Sequence, residues 1–185
     1  MTTDVIKTAD LEATGVPRHV IDLKCRPGGP WQRVLPGVLL LSAAPPSRDQ
    51  RLRAALAYAG PGAVVTGVEA LRAQGLPGLP DAPVIHLLQP AARRRACTTE
   101  LLLERTTRPP GTVVRAGLRL AEPTRAVLDA ARREPHALRR HHLLATTVRS
   151  GLCTIAGLEV ELAAGSKRGS AATRAALRTL KALLR

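Results

Sequence analysis

The chain has 185 residues, with 28 Lys or Arg against 14 Asp or Glu and a formal net charge of +14. It contains one Trp, one Tyr and no Phe, which argues against single-strand nucleic-acid binding, because stacked bases need aromatic faces. Its three Cys residues lie far apart and fit neither a disulfide framework nor a zinc site. With no signal-peptide core and no long apolar run, the sequence predicts a cytoplasmic protein without a membrane segment.

The first forty residues predict two short helices followed by a β-hairpin. The run TADLEAT (8–14) is typical of a short helix, with Thr8 as its N-cap and a glycine after its end. A second helix begins near Pro17 and directs Val20 and Ile21 inward. PGGP (27–30) ends that helix, and WQRVL and GVLLL flank a Pro-Gly turn. We expect residues 31–35 and 37–41 to pair, with Trp31 against the inward face of the second helix.

The rest of the chain predicts more helices around a small sheet. Helices are expected at 48–59, at 67–74 with Thr66 as its N-cap, at 123–134, at 136–149, at 155–165 with Thr154 as its N-cap, and at about 170–184. Strands are expected at 84–88 and 100–106, with one or two more in 112–120. The predicted fold class is therefore α+β. It comprises a winged helix-turn-helix-like module (1–42), a small β-sheet domain with flanking helices (47–133) and a helical C-terminal segment (134–185).

The basic excess is concentrated in the second half of the chain. Residues 1–90 carry a net charge of +2 and residues 91–185 a net +12. A polyanionic partner would explain it, since clustered cations release counterions from a phosphate backbone. The codon usage of a GC-rich genome is an equal alternative, because 24 of the 28 basic residues are Arg.

Several segments together resemble the AbiEi-type antitoxins of type IV toxin–antitoxin systems, as found in actinobacterial proteins. They are TADLEATGVPRHVIDLKCRPGGPWQRVLPGVLLL, RLRAALAYAGPGAVVTGVEALRAQGL, GLRLAEPTRAVLDAAR and the tail GLCTIAGLEVELAAGSKRGSAATRAAL. The resemblance implies binding to double-stranded DNA, autorepression of an operon, and a nucleotidyltransferase-like toxin as a partner. A homodimer would place two copies of a weakly binding module on two DNA half-sites. A protein-interaction module that neutralises a toxin, or a remnant without DNA binding, is the alternative.

The sequence departs from that family in three places. The winged module lacks the helix that usually comes first. We expect either an upstream start or another segment that covers Leu11, Val20 and Ile21. The helix at 170–184, with Ala175, Leu177, Leu180 and Leu184 as its apolar stripe, is the first candidate, and the helix at 48–59 is the second. Asp22 faces outward on the presumed recognition helix, where it would repel phosphate. The chain also ends where the Vsr-like endonuclease domain of some relatives would begin, and its last third holds few carboxylates for Mg²⁺.

The candidate contacts are basic side chains on the two predicted DNA-facing elements and in one loop. Arg18 and His19 begin the recognition helix, Lys24 and Arg26 flank its end, Arg33 lies on the wing, and Arg93, Arg94 and Arg95 form a basic loop. The alternative for each residue is a solvated surface charge that contacts no DNA. For Lys24 and Arg26 a further alternative is a favourable interaction with the negative end of the helix dipole. No catalytic residue, metal ligand or cofactor is predicted. Arg125 and Asp129, four residues apart on a helix, predict an ion pair, and adjacent His141 and His142 point apart.

Overall fold

The computed structural model describes residues 4–183, and its chain divides into two compact units, Met1–Ala63 and Val64–Arg185. Helices and strands are mixed along both, which confirms the predicted α+β class. Within the described residues, no helix combines the length and the apolar character that crossing a bilayer requires.

Within residues 4–63, the first unit is a three-stranded sheet with three helices. Its elements are β1 (Val5–Lys7), α1 (Thr8–Ala13), α2 (Arg18–Lys24), β2 (Gln32–Leu35), β3 (Val38–Leu40) and α3 (Arg48–Ala59). The strand order is β1-β3-β2, and both pairs are antiparallel. The predicted hairpin is confirmed, with Gly37 at a φ of +73° in its turn. Strand β1 was not predicted, because three residues are too few to show a pattern.

The small sheet is covered on both faces. Leu39 of the central strand packs with Leu11 of α1 and Ile21 of α2, and Trp31 lies half-buried against this cluster, as predicted. Side chains alternate along a strand, so the buried Val38 and Leu40 point to the opposite face. Helix α3 packs against all three strands. This arrangement joins α3 to the first unit, although the sequence had placed residues 48–59 at the start of the next domain.

The second unit contains a five-stranded mixed sheet and five helices within the described residues. Its strands are β4 (Val64–Val65), β5 (Ile85–Pro90), β6 (Leu101–Thr106), β7 (Thr112–Arg115) and β8 (Leu118–Ala121). Its helices are α4 (Gly67–Ala73), α5 (Pro123–Arg133), α6 (Ala137–Arg149), α7 (Ile155–Ala164) and α8 (Ala171–Leu183). The strand order is β6-β5-β4-β8-β7, with β5/β6 and β4/β8 parallel. Helix α5 is the centre of the helical layer, because α4, α6, α7 and α8 all pack against it.

The two segments that were expected to cover Leu11 and Ile21, the helices at 170–184 and 48–59, do not do so. Leu11 is 8% exposed and Ile21 is 0% exposed, and the described residues packed around them all come from 6–41. Helix α8 instead packs against α5, α6 and α7 in the second unit. Ala175 of its expected stripe is exposed, and Leu184 lies outside the described residues. Sequence reasoning underestimated the apolar area of the first unit because it overlooked the strand β1.

Three threonines were expected to cap helices, and only one does. The Thr154 Oγ1 accepts the Gly157 N–H at 3.0 Å and caps α7 as predicted. Thr8 is wrong as a cap, because it is the first helical residue of α1 and its buried hydroxyl has no partner among the described residues. Thr66 precedes α4 without capping it; its hydroxyl donates to the Asp129 Oδ2 at 2.8 Å. For Thr66, a hydrogen bond to a residue distant in sequence therefore takes the place of the expected helix cap.

Candidate nucleic-acid interface

The surface formed by α2 and strand β2 brings two of the predicted contacts together around one carboxylate. Arg33 on β2 donates from Nη2 to Asp22 Oδ1. Arg18, one helical turn before Asp22, places its Nε 3.7 Å from the same oxygen. The Arg18 Nη1 also donates to Glu12 Oε1 at 3.3 Å. We call these four residues the charged face; it holds two guanidinium groups and two carboxylates and is close to electrically neutral.

The charged face is open to solvent. The side chains of Arg18, Asp22 and Arg33 are 65%, 54% and 41% exposed. Ion pairs at such exposure contribute roughly 0.2–1 kcal/mol each, because water and salt screen them. A phosphate arriving at the surface therefore competes with Asp22 for the guanidinium groups at little cost. Sequence reasoning placed Asp22 outward correctly but missed its pairing with Arg33, because that contact spans the hairpin.

The remaining basic residues of the first unit differ in how they are held. His19 and Arg26 are exposed, and neither side chain forms a hydrogen bond or an ion pair within residues 4–183. The Lys24 ammonium lies 5.5 Å from the centroid of the Trp31 ring, inside the range of a cation–π contact. The backbone N–H of Trp31 also donates to the Lys24 carbonyl at 3.2 Å. Lys24 is thus oriented by the same aromatic side chain that anchors the hairpin to the core.

Gly29 shapes the turn that joins α2 to the hairpin. The Gly29 N–H donates to the Arg26 carbonyl at 2.7 Å. A Cβ at this position would lie 2.3 Å from the Lys24 carbonyl oxygen and 2.9 Å from that of Arg26. No real Cβ approaches backbone oxygen so closely, so the tight turn requires glycine. The sequence PGGP was correctly predicted as a stop, but the packing reason is visible only in three dimensions.

The arginine triplet of the second unit lies in the exposed connection between β5 and β6. Because these strands are parallel, the chain must return along the sheet before β6 can begin. The Arg93 N–H donates to the Pro90 carbonyl at 2.9 Å, and the Gln89 side chain donates to the Arg95 carbonyl at 3.5 Å. Residues 93–95 are all exposed. The side chains of Arg93 and Arg94 form no hydrogen bond or ion pair within the described part of the chain.

The predicted pair of Arg125 and Asp129 is confirmed and lies deeper than expected. The Arg125 Nε donates to both Asp129 oxygens at 3.0 and 2.9 Å, while the Thr66 hydroxyl donates to Oδ2. The Asp129 side chain is 1% exposed and that of Arg125 is 11% exposed. Arg125 also lies 3.7 Å from Glu161, which accepts two hydrogen bonds from Arg108. This network joins α5 to the start of α4, to α7 and to the β6–β7 connection. Because its buried charged groups pair with one another, we assign it a role in stability.

A second charged group lies on strands β5 and β6. The ring of His86, 8% exposed, places Nε2 3.2 Å from Glu104 Oε2, and Arg133 donates to the same oxygen at 3.3 Å. The hydrogen bond from His86 is the main reason that the pKa of Glu104 falls to about 2, and Arg133 adds to the effect. Within residues 4–183, no three His, Cys, Asp or Glu side chains converge as a metal site would require.

Comparison of the chain with protein-family models and with curated proteins found no match.

Proposed function

We propose that this protein is a DNA-binding transcriptional regulator of the AbiEi antitoxin type, in which residues 5–41 act as a winged helix-turn-helix. The observation that carries the proposal is the arrangement of the first unit. A strand precedes two short helices, a hairpin follows them, and the first strand pairs with the second hairpin strand. Helix α2 and the hairpin then form one exposed surface, as the recognition helix and wing of such a module do.

In this proposal the two elements of the first unit divide the contacts. Arg18 and His19 in the first turn of α2 approach base edges, because the N-terminal end of a recognition helix is the end that enters the major groove. Arg33 on the hairpin binds phosphate or reaches the minor groove. Lys24, held against the Trp31 ring, and exposed Arg26 contact the backbone beside the helix end.

Most of the phosphate affinity is assigned to the second unit. The first unit holds eight basic and five acidic residues, a net of +3, whereas the second holds twenty and nine, a net of +11. The exposed loop at 93–95 is the densest basic cluster on the second unit. Contacts from this loop would position the protein on the duplex without reading sequence.

Fluorescence anisotropy with a labelled duplex from the protein's own upstream region tests the proposal. The wild-type chain should bind with an affinity that falls as salt rises. Replacing Arg93, Arg94 and Arg95 together by Ala should reduce the slope of log K against log salt concentration by up to about 2.7, at roughly 0.9 per lost phosphate contact. A matched control removes three other exposed arginines of the same unit, Arg115, Arg119 and Arg149. Equal effects of the two triple variants would show that only bulk charge matters, and no binding at any salt would reject the proposal.

The second candidate function is a protein-interaction module that neutralises a nucleotidyltransferase-like toxin. The near-neutral charged face favours it, together with Leu23 of α2, whose side chain is 54% exposed. An apolar residue beside paired charges is typical of the core and rim of a protein interface. Co-purification with the product of the neighbouring gene, lost on Leu23→Asp and retained on Arg18→Ala, would support this function over DNA binding. Light scattering of the protein with and without a palindromic duplex tests the expected homodimer.

A further inference from the structure

The second unit contains a large, mostly apolar cavity that the proposed function does not use. Its volume is about 1050 Å³, at the upper end of the range for sites that hold drug-sized molecules. The apolar lining comes from the loop 78–84, from strand β6 and from helices α5 and α6. It includes Leu79, Val84, Leu102, Leu138 and Leu143. All of the lining residues belong to the second unit, so the cavity is complete within it.

One wall of the cavity is fastened by a single arginine. Glu69 Oε1 accepts a hydrogen bond from Arg72 Nη1 at 2.6 Å, one turn along α4. The other end of the same guanidinium donates to the carbonyls of Leu79 and Pro80 at 3.0 and 2.6 Å. Arg72 therefore ties the proline-rich loop to helix α4. The cavity is a built feature of the fold, with a wall held by four polar contacts when the ion pair to Asp81 at 3.9 Å is included.

The carboxylates that line the cavity already have donors. Glu69 and Asp81 share Arg72, and Glu134 accepts the backbone N–H of His136 at 2.9 Å. Among the lining cations, Arg133 is bound to Glu104. Arg139, exposed on the first turn of α6, forms no hydrogen bond or ion pair within the described residues. The buried Nδ1 of His86, another lining residue, also lacks a hydrogen-bond partner within the described residues. The unused capacity for an ionic partner at the cavity is thus one cationic donor with five N–H groups.

A large apolar side chain lies next to that unused donor. Leu138 directly precedes Arg139 and is 86% exposed at the edge of the cavity, and Val84 on the opposite loop is 37% exposed. Exposed apolar groups around a concave apolar surface gain free energy when a ligand removes them from water. The lining therefore offers an apolar floor, an apolar rim and one unpaired guanidinium.

We propose that this cavity binds an amphiphilic organic anion, with its apolar body among Leu102, Leu138 and Leu143 and its carboxylate or similar head group on Arg139. A neutral molecule of the same shape would bind the apolar lining and leave Arg139 without an acceptor. A cationic molecule would meet Arg139 with the same charge. The order of affinity is therefore anion, then neutral molecule, then cation. This inference does not depend on DNA binding.

Isothermal titration calorimetry on the full chain, without DNA, tests the inference with three probes of equal chain length: decanoate, decanol and decylammonium. We expect decanoate to bind most tightly and decylammonium least. Arg139→Gln should weaken decanoate binding about two- to fivefold, the range of an exposed charge pair, and should leave decanol unchanged. The control Arg149→Gln removes an exposed arginine of the same helix that does not line the cavity.

A second variant tests the location of the apolar body. Leu138→Asp should weaken decanoate binding by at least about tenfold, since it removes a leucine contact and adds a repelling charge. Both Leu138 and its control Val160 are highly exposed, so neither substitution to Asp disturbs the core. No measurable decanoate binding, equal binding of decanoate and decylammonium, or equal effects of Leu138→Asp and Val160→Asp would overturn the inference.

Discussion

Asp22→Asn is the most informative perturbation of the charged face, because one carboxylate oxygen contacts both Arg18 and Arg33. The substitution keeps the size of the side chain and removes its charge. Arg33 then loses its ionic partner, Arg18 keeps only Glu12, and both guanidinium groups become more available to phosphate. In the wild-type protein Asp22 must be displaced first, so we expect the variant to bind duplex DNA more tightly.

The expected magnitude follows from the exposure of the pairs and from the number of cations released. Folding stability should change by less than about 1 kcal/mol, because all three side chains are more than 40% exposed and such pairs are weak. Two released arginines add at most two phosphate contacts. The salt dependence of log K should then steepen by up to about 1.8. Binding should tighten roughly two- to thirtyfold, because the wild type must displace two exposed pairs that contribute roughly 0.2–1 kcal/mol each.

Anisotropy titrations over a salt series measure both quantities, and urea unfolding measures the stability. Asp49→Asn is the control, because it makes the same change of charge on α3, which packs against the other face of the sheet. Adding Arg18→Ala and Arg33→Ala to Asp22→Asn should abolish the gain, as expected when the effect passes through those side chains. If Asp22→Asn binds duplex DNA no more tightly than Asp49→Asn, competition between Asp22 and phosphate does not limit the affinity of the charged face for DNA.

Three further predictions concern stability. Asp129→Ala should cost about 3 kcal/mol in urea unfolding, because it removes the hydrogen-bonded carboxylate of the 11%-exposed Arg125 and leaves that guanidinium only Glu161 at 3.7 Å; a cost within the usual ±0.5 kcal/mol of a surface substitution would contradict the structural role of the network. Glu104, whose pKa falls from 4.5 to about 2, contributes stability that is complete above pH 4.5 and is lost as the pH falls toward 2. The wild type should therefore lose more stability than Glu104→Gln between pH 5 and pH 3, by roughly 1 kcal/mol after discounting for its half-exposed position, and parallel acid profiles would refute this. Gly29→Ala should cost about 1–3 kcal/mol in thermal unfolding, because the new Cβ overlaps the Lys24 carbonyl; an unchanged melting temperature would show that the turn adjusts freely.

Local signals in the sequence were sufficient for most of the secondary structure. The helix over 48–59 was predicted with its observed bounds, and Pro123 begins α5 as expected. The Pro-Gly turn predicted the hairpin, and the apolar runs predicted β5 and β6. These features depend on caps, on fixed φ angles and on side-chain periodicity within a few residues. Such determinants are present in the chain before it folds, so the sequence alone is sufficient to predict these helices and strands.

Contacts between distant residues decided the rest. Strand β1 exists because Val5–Lys7 pairs with β3, and Thr66 turns from its helix to Asp129, 63 residues away. The same is true of the charged face, where Asp22 accepts from Arg33 across the hairpin, and of the cavity wall that Arg72 holds. In each case a polar or backbone group had several possible partners in sequence, and burial and packing selected one. The free energy that makes the selection comes from the folded neighbourhood, so only the tertiary structure could decide it.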